Sequence, residues 1–167
     1  MTVRICFVCS GNICRSPTAE IVMRRLVDDA GLGAQIEVCS AGIGDWHAGN
    51  PADPRSAEAM HRRGYDARGH RARQVSRQDL VDHDIVVAMD RGHARELARL
   101  VPAGCECDVR LLLSYDPEAA SLDVPDPYYG GPRGFDDVLD MIERGCRGLL
   151  TEVRRDRLGG AAPSTDS

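Results

Sequence analysis

Apolar positions along the chain fall into short unbroken runs that alternate with stretches of helical period. Val3–Val8 (Val-Arg-Ile-Cys-Phe-Val), Gln35–Cys39, Ile85–Met89 and Val109–Leu113 read as strands. Runs of this kind suit parallel strands buried on both faces. Helices are predicted over Pro17–Asp29, Asp53–Arg63, Asp90–Leu100 and Phe135–Arg155. The last carries apolar Val138, Leu139, Ile142, Leu149, Leu150 and Val153. Pro17 and Pro54 stand where a first helical turn tolerates proline, Ser16 is a capping residue type, and Gly64 is placed to close a helix. Strands alternating with helices predict a parallel sheet with helices on both faces. The fold class is therefore α/β, a single domain over residues 1–157. Leu158–Ser167, built of small and polar residues, is expected to be a disordered C-terminal tail.

Composition narrows the function. With 167 residues, 43% hydrophobic and 28% charged, the chain has a globular composition and the length of one domain. No apolar run approaches the roughly 18 residues that cross a bilayer. Met1–Val8 lacks a small-residue cleavage site, so no signal peptide, no membrane partner and a cytoplasmic location are expected. A net charge of −5 argues against nucleic acid as a partner. All 21 basic residues are Arg, a coding bias more than a chemical signal. They cluster between Arg55 and Arg77, while Ser114–Glu143 is acidic; both read as solvated faces. Seven Cys in a chain without an export signal are expected to stay reduced. Cys6 and Cys39 read as small core hydrophobes and Cys146 as helix packing. Cys6-x-x-Cys9 lacks a partner pair, since Cys105-x-Cys107 has the wrong spacing, so neither a metal nor a cofactor is expected.

The strongest chemical signal is Cys9-Ser10-Gly11-Asn12-Ile13-Cys14-Arg15-Ser16-Pro17, between the first strand and the first helix. Successive backbone N–H groups in a tight loop at a helix N-terminus form an anion cradle. Gly11 and Asn12 tolerate the left-handed backbone that such a curl requires. Arg15 adds a planar fork matched to two phosphate oxygens. Cys9 would face the guanidinium and the positive end of the helix, an environment that favours the thiolate, and Ser16 could donate to it. Thiolate, cradle and arginine together describe nucleophilic attack on a phosphate ester. Cys and Arg six apart also occur in ordinary capping turns; the position at the carboxyl end of an α/β strand favours chemistry.

This loop resembles the phosphate-binding signature of the low-molecular-weight protein tyrosine phosphatases, bacterial branch. The resemblance continues, in order, through Ser40-Ala41-Gly42, Asn50-Pro51-Ala52-Asp53, Ala72-Arg73-Gln74, Ala88-Met89-Asp90 and Ser114-Tyr115-Asp116-Pro117. It ends at Asp126-Pro127-Tyr128-Tyr129-Gly130, similar to the family's general-acid loop, and spans about residues 3 to 155. It implies a four-stranded parallel sheet in the order 2-1-3-4 and a phosphocysteine intermediate on Cys9. Arg15 and Ser10–Ser16 would hold phosphate, and Asp126 would be general acid and base. By the same resemblance Asn12, Ser40 and His70 hold the cradle, Asp90 supports it, and Trp46, Tyr128 and Tyr129 wall the cleft. The partners implied are phosphotyrosine proteins, with inorganic phosphate as product; a monomer is expected.

Three alternatives share some of these features. An arsenate reductase of this fold needs further relay thiols, but Val81–Pro102 has no Cys. A protein-arginine phosphatase resembles this chain but typically has Thr where Ile13 stands, and Ile13 offers an apolar wall suited to a phenyl ring. A phosphopeptide-binding module would lack the nucleophile or the acid, yet Cys9 and Asp126 are both present. A loop curled around one phosphate also brings Cys14 toward Cys9, so peroxide is expected to form a reversible Cys9–Cys14 disulfide.

Overall fold

The computed structural model describes residues 2–159. Its strands are β1 (Val3–Cys9), β2 (Ile36–Gly42), β3 (Ile85–Ala88) and β4 (Asp108–Leu111). They form one parallel sheet in the order β2-β1-β3-β4, as the resemblance implies. β1 takes a central place because only Arg4 of its seven residues is exposed. Helices α1 (Arg15–Asp29), α2 (Pro54–Arg62), α3 (Arg77–Asp82), α4 (Arg91–Leu100) and α5 (Gly134–Asp156) cover the sheet. On one face Ile5, Phe7, Val22, Met23, Leu139, Ile142 and Leu149 pack together under α1 and α5. On the other, Cys6, Val8, Val86 and Ala88 meet Leu80 of α3 and Leu97 of α4. Each fully buried side chain of Leu or Phe size contributes roughly 1.5–3 kcal/mol, so both faces of β1 hold the element in place.

Several boundaries differ from the predicted ones, each for a local reason. α1 begins at Arg15, and Cys14, not Ser16, is its N-cap residue, without a side-chain cap bond. β2 runs on through Ser40–Gly42, weak strand formers, because each residue of that stretch pairs with β1. Leu112 and Leu113 leave the sheet in a 3₁₀ turn, Leu112–Tyr115. α3 went unpredicted, being six residues long; a capping box between Ser76 and Asp79 starts it. Asp53 and Asp90, predicted as first residues of helices, instead cap α2 and α4 with their carboxylates. Leu158 packs on the core and is not frayed as predicted; residues 160–167 of that predicted tail lie outside the described residues.

No helix among the described residues is long and apolar enough to cross a membrane. At the carboxyl end of the sheet, register places Cys9 beside Gly42 and Val8 beside Ala88. The loops after β1, β2 and β3 therefore converge on one spot.

Candidate active site

Between the end of β1 at Cys9 and the start of α1 at Arg15 the chain turns within Ser10–Cys14. Asn12 takes the left-handed conformation there (φ 59°). Gly11 does not, contrary to expectation; it is needed for clearance, because a Cβ would come within 2.8 Å of the His47 ring. The loop's carbonyls are tied outward. Those of Cys9, Ser10 and Ile13 accept from the N–H groups of Ile43, Gly44 and Asp53 at 2.7–3.0 Å. The Cys14 carbonyl accepts from the Thr18 hydroxyl at 2.7 Å. Among the described residues, the N–H groups of Gly11, Asn12, Ile13 and Cys14 find no protein acceptor. Carbonyls outward and amides unpaired is the polarity of an anion-binding nest.

Buried polar side chains hold this shape. Asn12 donates through Nδ2 to the hydroxyls of Ser16 and Ser40, both at 2.9 Å, and accepts at Oδ1 from the Arg73 N–H at 3.0 Å. The Ser40 hydroxyl donates in turn to Glu20 Oε1 at 2.7 Å. His70 Nε2 donates to the Asn12 carbonyl at 2.7 Å. The Ser16 hydroxyl lies 2.9 Å from Cys9 Sγ, which makes it a partner of the sulfur and explains why it does not cap the helix. Gly42 permits the close approach of β2: a Cβ there would meet loop backbone at 2.9 Å.

Arg15 is buried, and its charge is met by Asp90 Oδ2 at 3.0 Å. The same Nη1 donates to the Val124 carbonyl at 3.0 Å. Asp90 Oδ1 accepts the backbone N–H of His93, whose Nε2 lies 2.8 Å from the Ser10 hydroxyl. Burial holds His93 down to about 4, so the ring is neutral near pH 7. Arg15 Nε has no protein partner among the described residues, and Nη2 reaches only the Ser10 hydroxyl at 3.5 Å. That edge of the fork is available to an anion.

Asp126 arrives on a loop anchored at both ends. Val124 N–H donates to the Met89 carbonyl at the end of β3, and the Tyr128 hydroxyl donates to Asp53, the cap of α2. Arg55 lies 4.4 Å over the Tyr128 ring, and Phe135 packs edge-on against it. Asp126 Oδ1 accepts the Tyr128 N–H at 3.0 Å. A cleft of about 440 Å³ is lined by Cys9, the loop, Trp46, His47, Asp126 and Tyr128.

Residues 4–158 match the family described as low molecular weight phosphotyrosine protein phosphatase. The chain belongs to this family. A low molecular weight protein-tyrosine-phosphatase of Streptomyces coelicolor is 52% identical over 165 residues, covering 97% of this chain and 100% of the relative. The crystal structure of YfkJ from Bacillus subtilis superposes with a TM-score of 0.87 at 40% identity, covering 94% of this chain and 98% of that one. A Drosophila arginine phosphatase superposes with a TM-score of 0.84 at 30% identity, over 91% and 98% of the two chains. As a low-molecular-weight phosphatase the chain is a hydrolase.

Of the residues the sequence singles out, the structure brings together Cys9, Ser10, Gly11, Ile13, Cys14, Arg15, Trp46, Asp126 and Tyr128 around the cleft. Asn12, Ser16, Ser40, His70 and Asp90 stand behind it, as described above. Tyr129, expected to wall the cleft, does not line it: the side chain is 89% exposed, because its 3₁₀ turn directs Tyr128 inward instead. Sequence reasoning missed Glu20, Asp53 and His93. An Asp immediately before Pro54 is itself an N-cap signal that marks Asp53; Glu20 and His93 carry no local signal. Cys39, expected in the core, is instead half-buried beside His83 and Arg73.

Proposed function

We propose that this phosphatase hydrolyses phosphotyrosine in proteins through a phosphocysteine on Cys9. The observation that carries the reading is the loop's polarity: the loop whose amides find no acceptor among the described residues lines, with Arg15, the cleft that also holds Cys9 and Asp126. The amides and Arg15 hold the three non-bridging phosphate oxygens, whose charge they stabilise as the phosphoryl group transfers. Cys9 Sγ attacks phosphorus while the P–O bond to the aryl group breaks, and Asp126 gives its proton to the departing phenolate oxygen. Ser16 donates to the sulfur and stabilises it as the later leaving group. Water then attacks the phosphocysteine, Asp126 takes the water's proton, and inorganic phosphate leaves.

Ile13, Trp46 and Tyr128 give the cleft wall an apolar and aromatic character suited to a phenyl ring. That wall favours phosphotyrosine over phosphoarginine, although an arginine phosphatase shares the fold. The test is steady-state kinetics with phosphotyrosine and phosphoarginine peptides. The expected kcat/KM favours phosphotyrosine, and Ile13→Thr shifts the ratio toward phosphoarginine. Equal values for the two peptides would remove the substrate assignment. Cys9→Ser is expected to lose turnover while still binding a phosphate mimic, and Asp126→Asn to lose about 10²–10⁴-fold in kcat.

A further inference from the structure

A second cluster of reactive side chains lies three residues down β1 and β2 from the catalytic end, about 10 Å away at ~3.3 Å per residue. Cys6 and Cys39 are direct partners in the parallel pairing. Their sulfurs and a ring nitrogen of His83 all lie within 4.8 Å of one another. His83 Nδ1 is 2.7 Å from the Asp79 carbonyl, which can only accept, so Nδ1 carries a proton. Nε2 then faces Cys39 Sγ at 3.1 Å. Arg73 Nη2 points at the same sulfur at 3.4 Å and at Cys6 Sγ at 3.8 Å, while its Nη1 is held by Asp79 at 3.0 Å. Arginine is a donor only, so Cys39 Sγ accepts from it, and a fixed positive charge this close to the sulfur favours the thiolate over the thiol.

The titration of the pair agrees with the geometry. Hydrogen bonding from Cys6, and then from His83, pulls the Cys39 thiol far below its ordinary range in spite of burial. The same link to Cys39, followed by burial, pushes Cys6 up. Cys39, half-buried, and His83 also line an open cavity of about 420 Å³, which Arg24 and Glu37 border and which gives a small reagent a route toward Cys39. Cys6 is fully buried behind it. A soft metal ion would suit two sulfurs and an imidazole, but the fixed Arg73 guanidinium already supplies the positive charge beside both sulfurs.

We propose that Cys39 is an oxidation site for hydroperoxides, with Cys6 as the resolving thiol that closes a disulfide across β1 and β2. Cys39 Sγ attacks the terminal peroxide oxygen, the O–O bond breaks, and an alcohol or water leaves, so that Cys39 becomes a sulfenic acid. Cys6 sulfur then attacks the Cys39 sulfur, and hydroxide departs with the Cys6 proton as water. Two thiols are oxidised, one hydroperoxide is reduced, and one disulfide forms. Neighbouring strands lie roughly 4.8 Å apart, inside the range of about 4.4–6.8 Å between disulfide-linked Cα atoms. None of the groups that carry the phosphatase reading takes part, so either proposal can fail without the other.

The experiment has two arms. In the unsubstituted chain at neutral pH, iodoacetamide is expected to alkylate Cys39 on the order of tenfold faster than Cys107, a thiol that burial pushes up to about 11. In the full-length chain carrying Cys9→Ser and Cys14→Ser, hydrogen peroxide is expected to yield a Cys6–Cys39 linked peptide that dithiothreitol removes. Adding Cys6→Ser to that chain should leave a sulfenic acid on Cys39 that dimedone captures. Absence of the linked peptide overturns the proposal whatever the labelling rate, as does Cys39 reacting no faster than Cys107. Stoichiometric zinc retained by the purified chain and shielding Cys39 from alkylation would overturn it in favour of a metal site.

Discussion

Asn12 concentrates the demands on the Ser10–Cys14 loop in one residue: a left-handed backbone, two donors to serine hydroxyls and an acceptor for Arg73. Asn12→Ala leaves those buried partners unsatisfied, at a cost of about 1–3 kcal/mol. Urea unfolding is expected to register that loss, with kcat falling alongside it; an unchanged midpoint and kcat would mean the network is incidental. Cys14 poses a different question. Burial pushes its thiol up to about 12, with the Ser56 hydroxyl donating to its sulfur, so it is a protonated thiol lining the same cleft as Cys9. After peroxide treatment the unsubstituted enzyme is expected to recover with dithiothreitol through a Cys9–Cys14 bond, and Cys14→Ser to recover less. Equal recovery makes Cys14 a packing residue. The convergence of Cys9, Asn12 and Arg15 on one cleft was legible because a strand, a loop and a helix end confine them to seven positions. Glu20 and His93 were not, because each acquires its role from a partner far away in sequence: Ser40 for Glu20 and Ser10 for His93.

Elements were legible where burial dictates period, as in β1 and α5, and less so where tertiary contact overrides propensity, as at the end of β2. Close helix approach is of the second kind. Gly148 lies on α5 where an added Cβ would come within 2.0 Å of the Tyr115 carbonyl oxygen, a backbone atom that cannot step aside. Alanine improves helix propensity by about 1 kcal/mol, whereas overpacking against backbone costs roughly 1–3 kcal/mol. The clash wins. Gly148→Ala should lower Tm by several degrees, at roughly 2–4 °C per kcal/mol for a chain of this size. A Tm at or above that of the parent would show that α5 is free to shift. The helix–turn contact that sets this constraint joins segments more than 30 residues apart, and nothing in either segment alone announces it.

For the molecule as a whole, the convergence of three loops at one end of the sheet couples stability to the state of the site. His93 is held by burial at about 4 in the folded protein, against an ordinary value near 6.5. Below about pH 6.5 the unfolded chain therefore binds a proton that the folded chain refuses, so stability falls as pH drops toward 4. The contribution is of order 2–3 kcal/mol. Denaturation midpoints at pH 7.5 and pH 4.5 should diverge less in His93→Gln than in the parent; equal divergence would assign the acid sensitivity elsewhere. A phosphocysteine on Cys9 is the intermediate on which the whole reaction turns, and it can be caught directly. With p-nitrophenyl phosphate the leaving group departs readily without a proton, so Asp126→Asn should slow the second step and let the intermediate accumulate. Acid-quenching that variant and mapping its peptides by mass should find one added phosphoryl group on the peptide bearing Cys9, absent when Cys9→Ser is combined with it. Turnover without a phosphorylated Cys9 peptide, or a phosphoryl group on another residue, would contradict the account.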